Sequence, residues 1–255
     1  MNLSVKLIEY GEIDSTNEEA KRLARAAAGG GGGGLPELYG TVVTARRQSA
    51  GRGRRGRDFL SPGGDSVYAS FILEPLGRTP GAGAQMITAS AAVAVCLALE
   101  KTALCKPKIK WVNDVLLDGK KVCGILAESV KHAVILGIGV NINLKDGDLP
   151  EDLRGAAGSV SMDTETRGRF FDALSEEVFR CAAEADSADE AAQSRLIDEY
   201  RSRSMLTGCS VFVLRGESKT PAAAVGIADD GGLVVEYGDG RRETLRSGEV
   251  SVRLS

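Results

Sequence analysis

The chain predicts an α+β fold followed by a small all-β unit, and three observations carry that expectation. Strand-like apolar runs recur between residues 40 and 140. One long, uncharged, alanine-rich stretch of helical length interrupts them. After Cys209 the sequence changes to short alternating runs separated by glycine-containing turns.

Taken in order, Asp14-Ser15-Thr16-Asn17 precedes EEAKRLARAAA, with Glu18 three residues after Ser15 and Glu19 three after Thr16. A capping box is available at either position, and a helix to about Ala28 follows. The glycines Gly29–Gly34 end it as a flexible connector. Strands are expected at 40–45, 66–73, 107–111, 115–117, 122–128 and 133–140. Between the second and third lies the alanine-rich helix, from about Ala84 to Leu104. Thr79 to Leu99 carries no charge over 21 residues, about the length of a membrane span. Pro80, Gly81, Gly83, Gln85, Thr88 and Ser90 within it favour an internal helix and no membrane partner. Arg167–Ala185 and Glu190–Arg203 space their apolar residues as helices do, for example Phe170, Leu174 and Val178. The C-terminal strands are Ser210–Leu214, Ala222–Ile227, Gly232–Tyr237, Arg241–Leu245 and Glu249–Arg253. Asp229-Asp230-Gly231-Gly232 and Gly238-Asp239-Gly240 are hairpin signals among them. A small β-barrel is the expectation, with a boundary that divides the chain into residues 1–206 and 207–255.

Composition narrows the chemistry. With 43% hydrophobic and 26% charged residues this is an ordinary soluble globular chain. Its five cysteines are odd in number and include no C-x-x-C pair, which fits neither a disulfide framework nor a cysteine zinc site and suits a reducing cytosol. The single histidine, His132, excludes multi-histidine metal sites and is expected on a surface turn. The first ten residues form no signal peptide.

The strongest local feature is RRQSAGRGRRGR, residues 46–57, with six arginines, three glycines and no acid. Net charge is −3 for the whole chain and would be −9 without those six. Arginine offers a planar fork of donors for carboxylates and phosphates, and glycine lets backbone N–H groups approach a ligand. Gly51, Gly53 and Gly56 also spell G-x-G-x-x-G, but Ser61-Pro62-Gly63-Gly64 reads as a turn where a dinucleotide fold needs a helix. Three other segments join this loop. Ser15, Thr16 and Asn17 place exposed hydroxyl and amide groups at a helix start. KIKWVND (108–114) and KKVCGILAE (120–128) form a lysine-bearing strand, a polar turn and a returning strand. In ILGIGVNIN (135–143) the glycines leave room for a flat group to lie on the backbone.

GRGRRGR, KW-x-ND, GIL-x-E and G-x-G-x-N, in this order and spacing, resemble the biotin protein ligases, from about Glu12 to Val252. The resemblance implies a catalytic domain related to class II aminoacyl-tRNA synthetases, with a mixed, largely antiparallel sheet, and an SH3-like barrel after it. It implies ATP-dependent ligation of biotin to a lysine of a biotin carboxyl carrier protein through biotinyl-5′-AMP, with Mg²⁺ entering alongside ATP and no protein metal site. Ser15, Thr16 and Asn17 would line the head-group pocket with Gln48 and Gly124. Gly51, Arg52, Gly53, Arg54, Arg55 and Gly56 would form the loop that closes over the ligand, with Phe59 beyond it. Lys110 would meet the reacting carboxylate and phosphate, and Arg54 would share its catalytic role. Asn141 would lie near the adenylate, and Trp111, Asn113, Ile125, Leu126 and Gly139 would complete the site. Val112 stands where many relatives have proline, and Phe59 where they often have tryptophan. Only eleven residues precede Glu12, so the expectation is a cytoplasmic ligase without a DNA-binding domain or specific DNA partner, dimerisation being left open. Two other readings stand beside it. One is a ligase for another acid, such as lipoate. The other is a loop that grips nucleic acid, which would weaken steeply with salt and need neither ATP nor biotin.

Overall fold

The computed structural model describes residues 5–29, 34–61, 64–75, 83–246 and 249–252. Most of the Gly29–Gly34 run and the turn at Pro62-Gly63 lie outside them. The chain runs β1 (Lys6–Ile13), α1 (Thr16–Gly29), β2 (Thr41–Gln48), β3 (Val67–Leu73), α2 (Gly83–Ala103), β4 (Lys108–Lys110), β5 (Asp114–Leu117), β6 (Lys120–Val130) and β7 (Ala133–Val140). Helices α3 (Thr164–Ala185) and α4 (Glu190–Arg203) follow. The C-terminal strands are β8 (Ser210–Arg215), β9 (Ser218–Ile227), β10 (Leu233–Tyr237), β11 (Arg242–Leu245) and β12 (Glu249–Val252).

Seven strands form a mixed sheet in the order β1-β2-β3-β7-β6-β5-β4. β1 and β2 run parallel, and the other neighbours are antiparallel. Period-2 alternation splits the central strands into two faces. Phe71, Leu136, Ile138, Cys123 and Ile125 face α2 and α3 and join the large core. On the other face Val43, Ile72 and Ile135 pack beneath Ala20 and Ala24 of α1. α2 is apolar on all sides and is buried accordingly, so its span-like composition serves the core. Its alanines let the helix lie close to the sheet.

The C-terminal strands form a second, five-stranded antiparallel sheet in the order β11-β10-β9-β8-β12. It corresponds to the expected SH3-like unit, although its hydrogen-bonded ladder ends at β11 and β12 and does not close into a ring. Gly231 and Gly240 take φ of 78° and 82° in the turns that flank β10. Val211, Val235 and Leu233 belong to the same buried cluster as α2 and α4, so one apolar core runs from sheet to sheet. Polar bonds reinforce it. Arg201 donates Nε to Ile227 O (2.9 Å) and Nη2 to Asp229 (2.6 Å). Arg203 grips Glu100 of α2 through two nitrogens at 3.0 and 2.8 Å.

Trp111 belongs to this inter-sheet contact. Its buried ring donates Nε1–H to Gly231 O at 3.1 Å. Trp111→Phe keeps most of the packing and strands that carbonyl, so stability should fall by about 1–3 kcal/mol in urea unfolding. Ligand affinity per folded molecule should stay unchanged. A ligand-binding role for Trp111 would show the reverse pattern.

Candidate active site

The site lies on the sheet face that α1 covers only in part. Gly124 of β6 and Gly139 of β7 are direct partners across the ladder, and Gly137 is two residues on along the same face. The three leave a strip of sheet without Cβ atoms. A Cβ on Gly137 would stand 2.2 Å from Asn17 Oδ1, so only glycine admits the α1 terminus this closely. The Phe59 ring lies on the other two: a Cβ at Gly124 or Gly139 would meet it at 2.8 or 2.5 Å. A flat group does lie on this backbone, and it is the chain's own.

Ser15, Thr16 and Asn17 are 1%, 5% and 4% exposed. The expected exposed cap is therefore a buried polar cluster. Nor does the capping box form in the described contacts, because Glu18 turns to Lys21 (2.7 Å) and Arg52 (3.0 Å), and Glu19 to Arg22. Gln48 Oε1 instead accepts the Thr16 N–H (2.8 Å), while its amide donates to Ser61 Oγ (2.8 Å). Ser70 donates to Asn17 Oδ1 at 2.6 Å and lies 2.8 Å from Thr16 Oγ1. The Asn17 amide nitrogen donates to Glu128 Oε2 (3.0 Å), and the buried Lys21 to Glu128 Oε1 (2.9 Å). Burial alone would raise the Glu128 carboxyl. The hydrogen bonds from Asn17 and Lys21, helped by the charges of Lys21 and Arg52, hold it net below its ordinary range. At the turn before α1, the Arg22 guanidinium clasps both oxygens of Asp14 and brings that carboxyl down to about 2.

The arginine loop is a closed hairpin. The backbones of Arg52 and Asp58 pair in an antiparallel bridge, Gly53 N–H donates to Arg57 O (2.7 Å), and Phe59 N–H donates to Gly51 O (2.9 Å). A short 3₁₀ turn at Arg54–Gly56 makes the tip, and among the described residues no helix follows before β3, so the dinucleotide pattern has no helix to open there. Arg54 donates to Asn113 Oδ1 at 3.1 Å, and Asn113 Nδ2 donates to Ile125 O at 3.1 Å. The side chain of Arg55 lies outside the described residues.

Two cavities meet at this hairpin. The first, about 50 Å³, has room for a few waters. It is lined by Ser15, Thr16, Asn17, Gln48, Arg52, Gly53, Arg54, Asn113, Gly124, Ile125, Leu126 and Gly139. The second, about 410 Å³, is lined among others by Lys110, Asp114, Asn141 and Arg57. Phe59 and Lys121 line both. Lys110, expected to meet the reacting carboxylate and phosphate, lines the second cavity and not the first. Asn141 is beside it, held by Nδ2 donating to Gly158 O (3.0 Å). Gly51 lies behind the hairpin, where a Cβ would stand 2.3 Å from Phe59 O, and Trp111 lines neither cavity.

Lys121, paired with Asp114 at 2.8 Å, is the residue that sequence reasoning missed. Strict alternation from Gly124 places residue 121 on the opposite face. The β5–β6 register, however, slips between Val115↔Cys123 and Leu116↔Lys121, leaving Val122 extra and turning Lys121 into the site. The doubled lysine ahead of GIL was the available signal, but the bulge was not legible.

Comparisons with known proteins agree with this architecture. Residues 37–143 match the model of the biotin/lipoate A/B protein ligase family, and residues 211–253 that of the biotin protein ligase C terminal domain. The chain is 33% identical over 249 residues to the biotin–[acetyl-CoA-carboxylase] ligase of Paracoccus denitrificans, covering 93% of this chain and 96% of that protein. It is 40% identical over 163 residues to the bifunctional ligase/repressor BirA of Bacillus subtilis, there spanning 61% of this chain and only 46% of the relative. Among solved structures, the biotin protein ligase from Aquifex aeolicus in complex with biotin and ATP superposes with a TM-score of 0.78 at 28% identity, covering 98% of this chain and 99% of that one.

The depressed carboxyls predict an acid-sensitive site. Glu128 and Asp14 ionise more readily when folded, so their contribution is complete above the ordinary carboxylate range and is lost as pH falls below it, for Asp14 toward about 2. Glu128→Gln should cost about 1–2 kcal/mol at neutral pH, and the difference from wild type should shrink below pH ~4 in unfolding titrations. A gap independent of pH would remove Glu128 from this role.

Proposed function

The chain belongs to the biotin protein ligase family, and on that premise we propose that it activates biotin with ATP and transfers it to a lysine of a biotin carboxyl carrier protein. The observation that carries the reading is the meeting of two cavities at Lys121 and Phe59. One sets the neutral hydrogen-bonding groups of Ser15, Thr16, Asn17 and Gln48, as an uncharged ring system needs, beside Arg52, Arg54 and Lys121, as a carboxylate needs. The other holds lysine and arginine, as a triphosphate needs.

Thr16, Asn17 and Gln48 supply donors and acceptors for the head group, over the glycine strip. Biotin's carboxylate then points toward Lys121 and Arg54, and the nucleotide phosphates occupy the cavity of Lys110 and Asn141. A carboxylate oxygen attacks the α-phosphorus. The bond from that phosphorus to the bridging oxygen breaks, and pyrophosphate leaves with the electron pair. Two anions must approach for this, so a cation common to both cavities is the group that lowers the barrier. Phe59 stands between them and swings aside as the ligands join. In the second step the carrier lysine's amine attacks the acyl carbon of the mixed anhydride, AMP departs, and the amine releases a proton.

Among the described residues no three His, Cys, Asp or Glu side chains converge as a metal site. Mg²⁺ would arrive with the triphosphate, near the carboxylates of Asp58 and Asp114 that line the nucleotide cavity. The five cysteines carry no disulfide among the described residues, in keeping with a cytoplasmic setting.

Biotin-dependent exchange of labelled pyrophosphate into ATP tests the first step. Wild-type protein should catalyse it, and Lys121→Gln should lower it roughly 10²-fold, the scale of losing one preorganised donor to developing charge. Lys110→Gln should act mainly on the KM for ATP. Exchange supported by lipoate in place of biotin would move the reading to another acid. Normal exchange in Lys121→Gln would refute the role assigned to that lysine.

A further inference from the structure

We propose that Glu18 is a positioning residue that anchors the base of the arginine loop to the floor of the head-group pocket. The inference rests on the ligase reading above and adds a group that none of the site motifs contains. A single oxygen, Glu18 Oε1, receives two cations: Lys21 Nζ at 2.7 Å and Arg52 Nε at 3.0 Å. Lys21 is only 6% exposed and passes to Glu128, whose other oxygen holds Asn17. Charges therefore alternate in one line, Arg52, Glu18, Lys21 and Glu128, and end at the amide seated in the Gly137 gap. Glu18 is the member that joins the loop to the buried groups.

The geometry favours an anchor over a latch that the ligand must break. Gly51, beside Arg52, is enclosed: a Cβ there would stand 2.3 Å from Phe59 O, 2.7 Å from Ser61 Oγ and 3.1 Å from Gln48 Nε2. Those neighbours belong to the head-group cluster itself, through Gln48 and Thr16. The loop base is thus a fixed wall of the pocket, and motion belongs to the tip beyond it. Arg52 is more than half exposed, so the tether is modest, and its loss should matter by severalfold rather than by orders of magnitude.

A double-mutant cycle with Glu18→Gln and Arg52→Gln tests this. Two measurements are made on each full-length protein. One is tryptic cleavage after Arg54, Arg55 and Arg57 without ligand, and the other is the KM for biotin and kcat in pyrophosphate exchange. Glu18→Gln should speed cleavage and raise KM by roughly two- to fivefold with kcat within twofold. In the Arg52→Gln background its effect on both should be clearly smaller, the remainder being the loss of the Glu18–Lys21 pair. Arg52→Gln alone leaves the Glu18–Lys21 pair in place, so its own effect on cleavage does not depend on the buried lysine. Equal effects in both backgrounds, no effect in wild type, or a lowered KM would each overturn the anchor, the last by making the contact a latch. If wild-type protein shows no biotin-dependent exchange, the ligase reading fails while the cleavage rates still decide the tether.

Discussion

Everything in the site depends on a strip of sheet that has no side chains. Gly124 and Gly139 face each other across β6 and β7, with Gly137 adjacent, and together they lower the sheet surface by the depth of a Cβ layer. Asn17 fills one gap, which seats the α1 terminus. The Phe59 ring fills the other two, which closes the arginine hairpin against the sheet. Had these positions carried alanine, Asn17 could not reach Ser70 and Glu128, and the hairpin would stand away from Asn113. The same strip that lets the chain close on itself is the surface a flat ligand would take over.

Charge is organised around that strip more locally than the sequence suggested. Six arginines in one segment look like an open basic patch, yet Arg52 answers Glu18, Arg47 answers Glu12, and Arg54 bonds Asn113. Arg52 and Arg54 line the first cavity and Arg57 the second, while Arg46 and Arg47 are exposed to solvent. Lys121, at the junction, has Asp114 as its counter-charge.

Helices, hairpin turns and most strands were legible because their signals are local: α2 from its apolar length, α3 and α4 from the 3.6-residue spacing, β10 from glycines at positive φ. Features set by distant partners were not. β1, KLIEYGEI, is a half-exposed edge strand whose charged residues hide its alternation, and its parallel pairing with β2 has no sequence mark. Ser15–Asn17 read as an exposed cap because a cap needs only three residues, whereas their burial comes from Gln48, Ser70 and Glu128. Trp111 sits within a motif that contributes Lys110 and Asn113 to the site, but its side chain turns to the second sheet. Lys121 was hidden by a single bulged residue.

The most direct test of the glycine strip is calorimetric titration of biotin into the Gly139→Ala protein, alongside its melting curve. The added methyl would meet only the Phe59 ring, a movable side chain, so the fold should tolerate it with little change in Tm. The ligand has no such freedom against the backbone, and affinity should fall by roughly tenfold or more, the scale of overpacking a filled surface. Wild-type affinity in a folded Gly139→Ala protein would mean that the ligand does not lie on this strip, and the account of the site would be wrong.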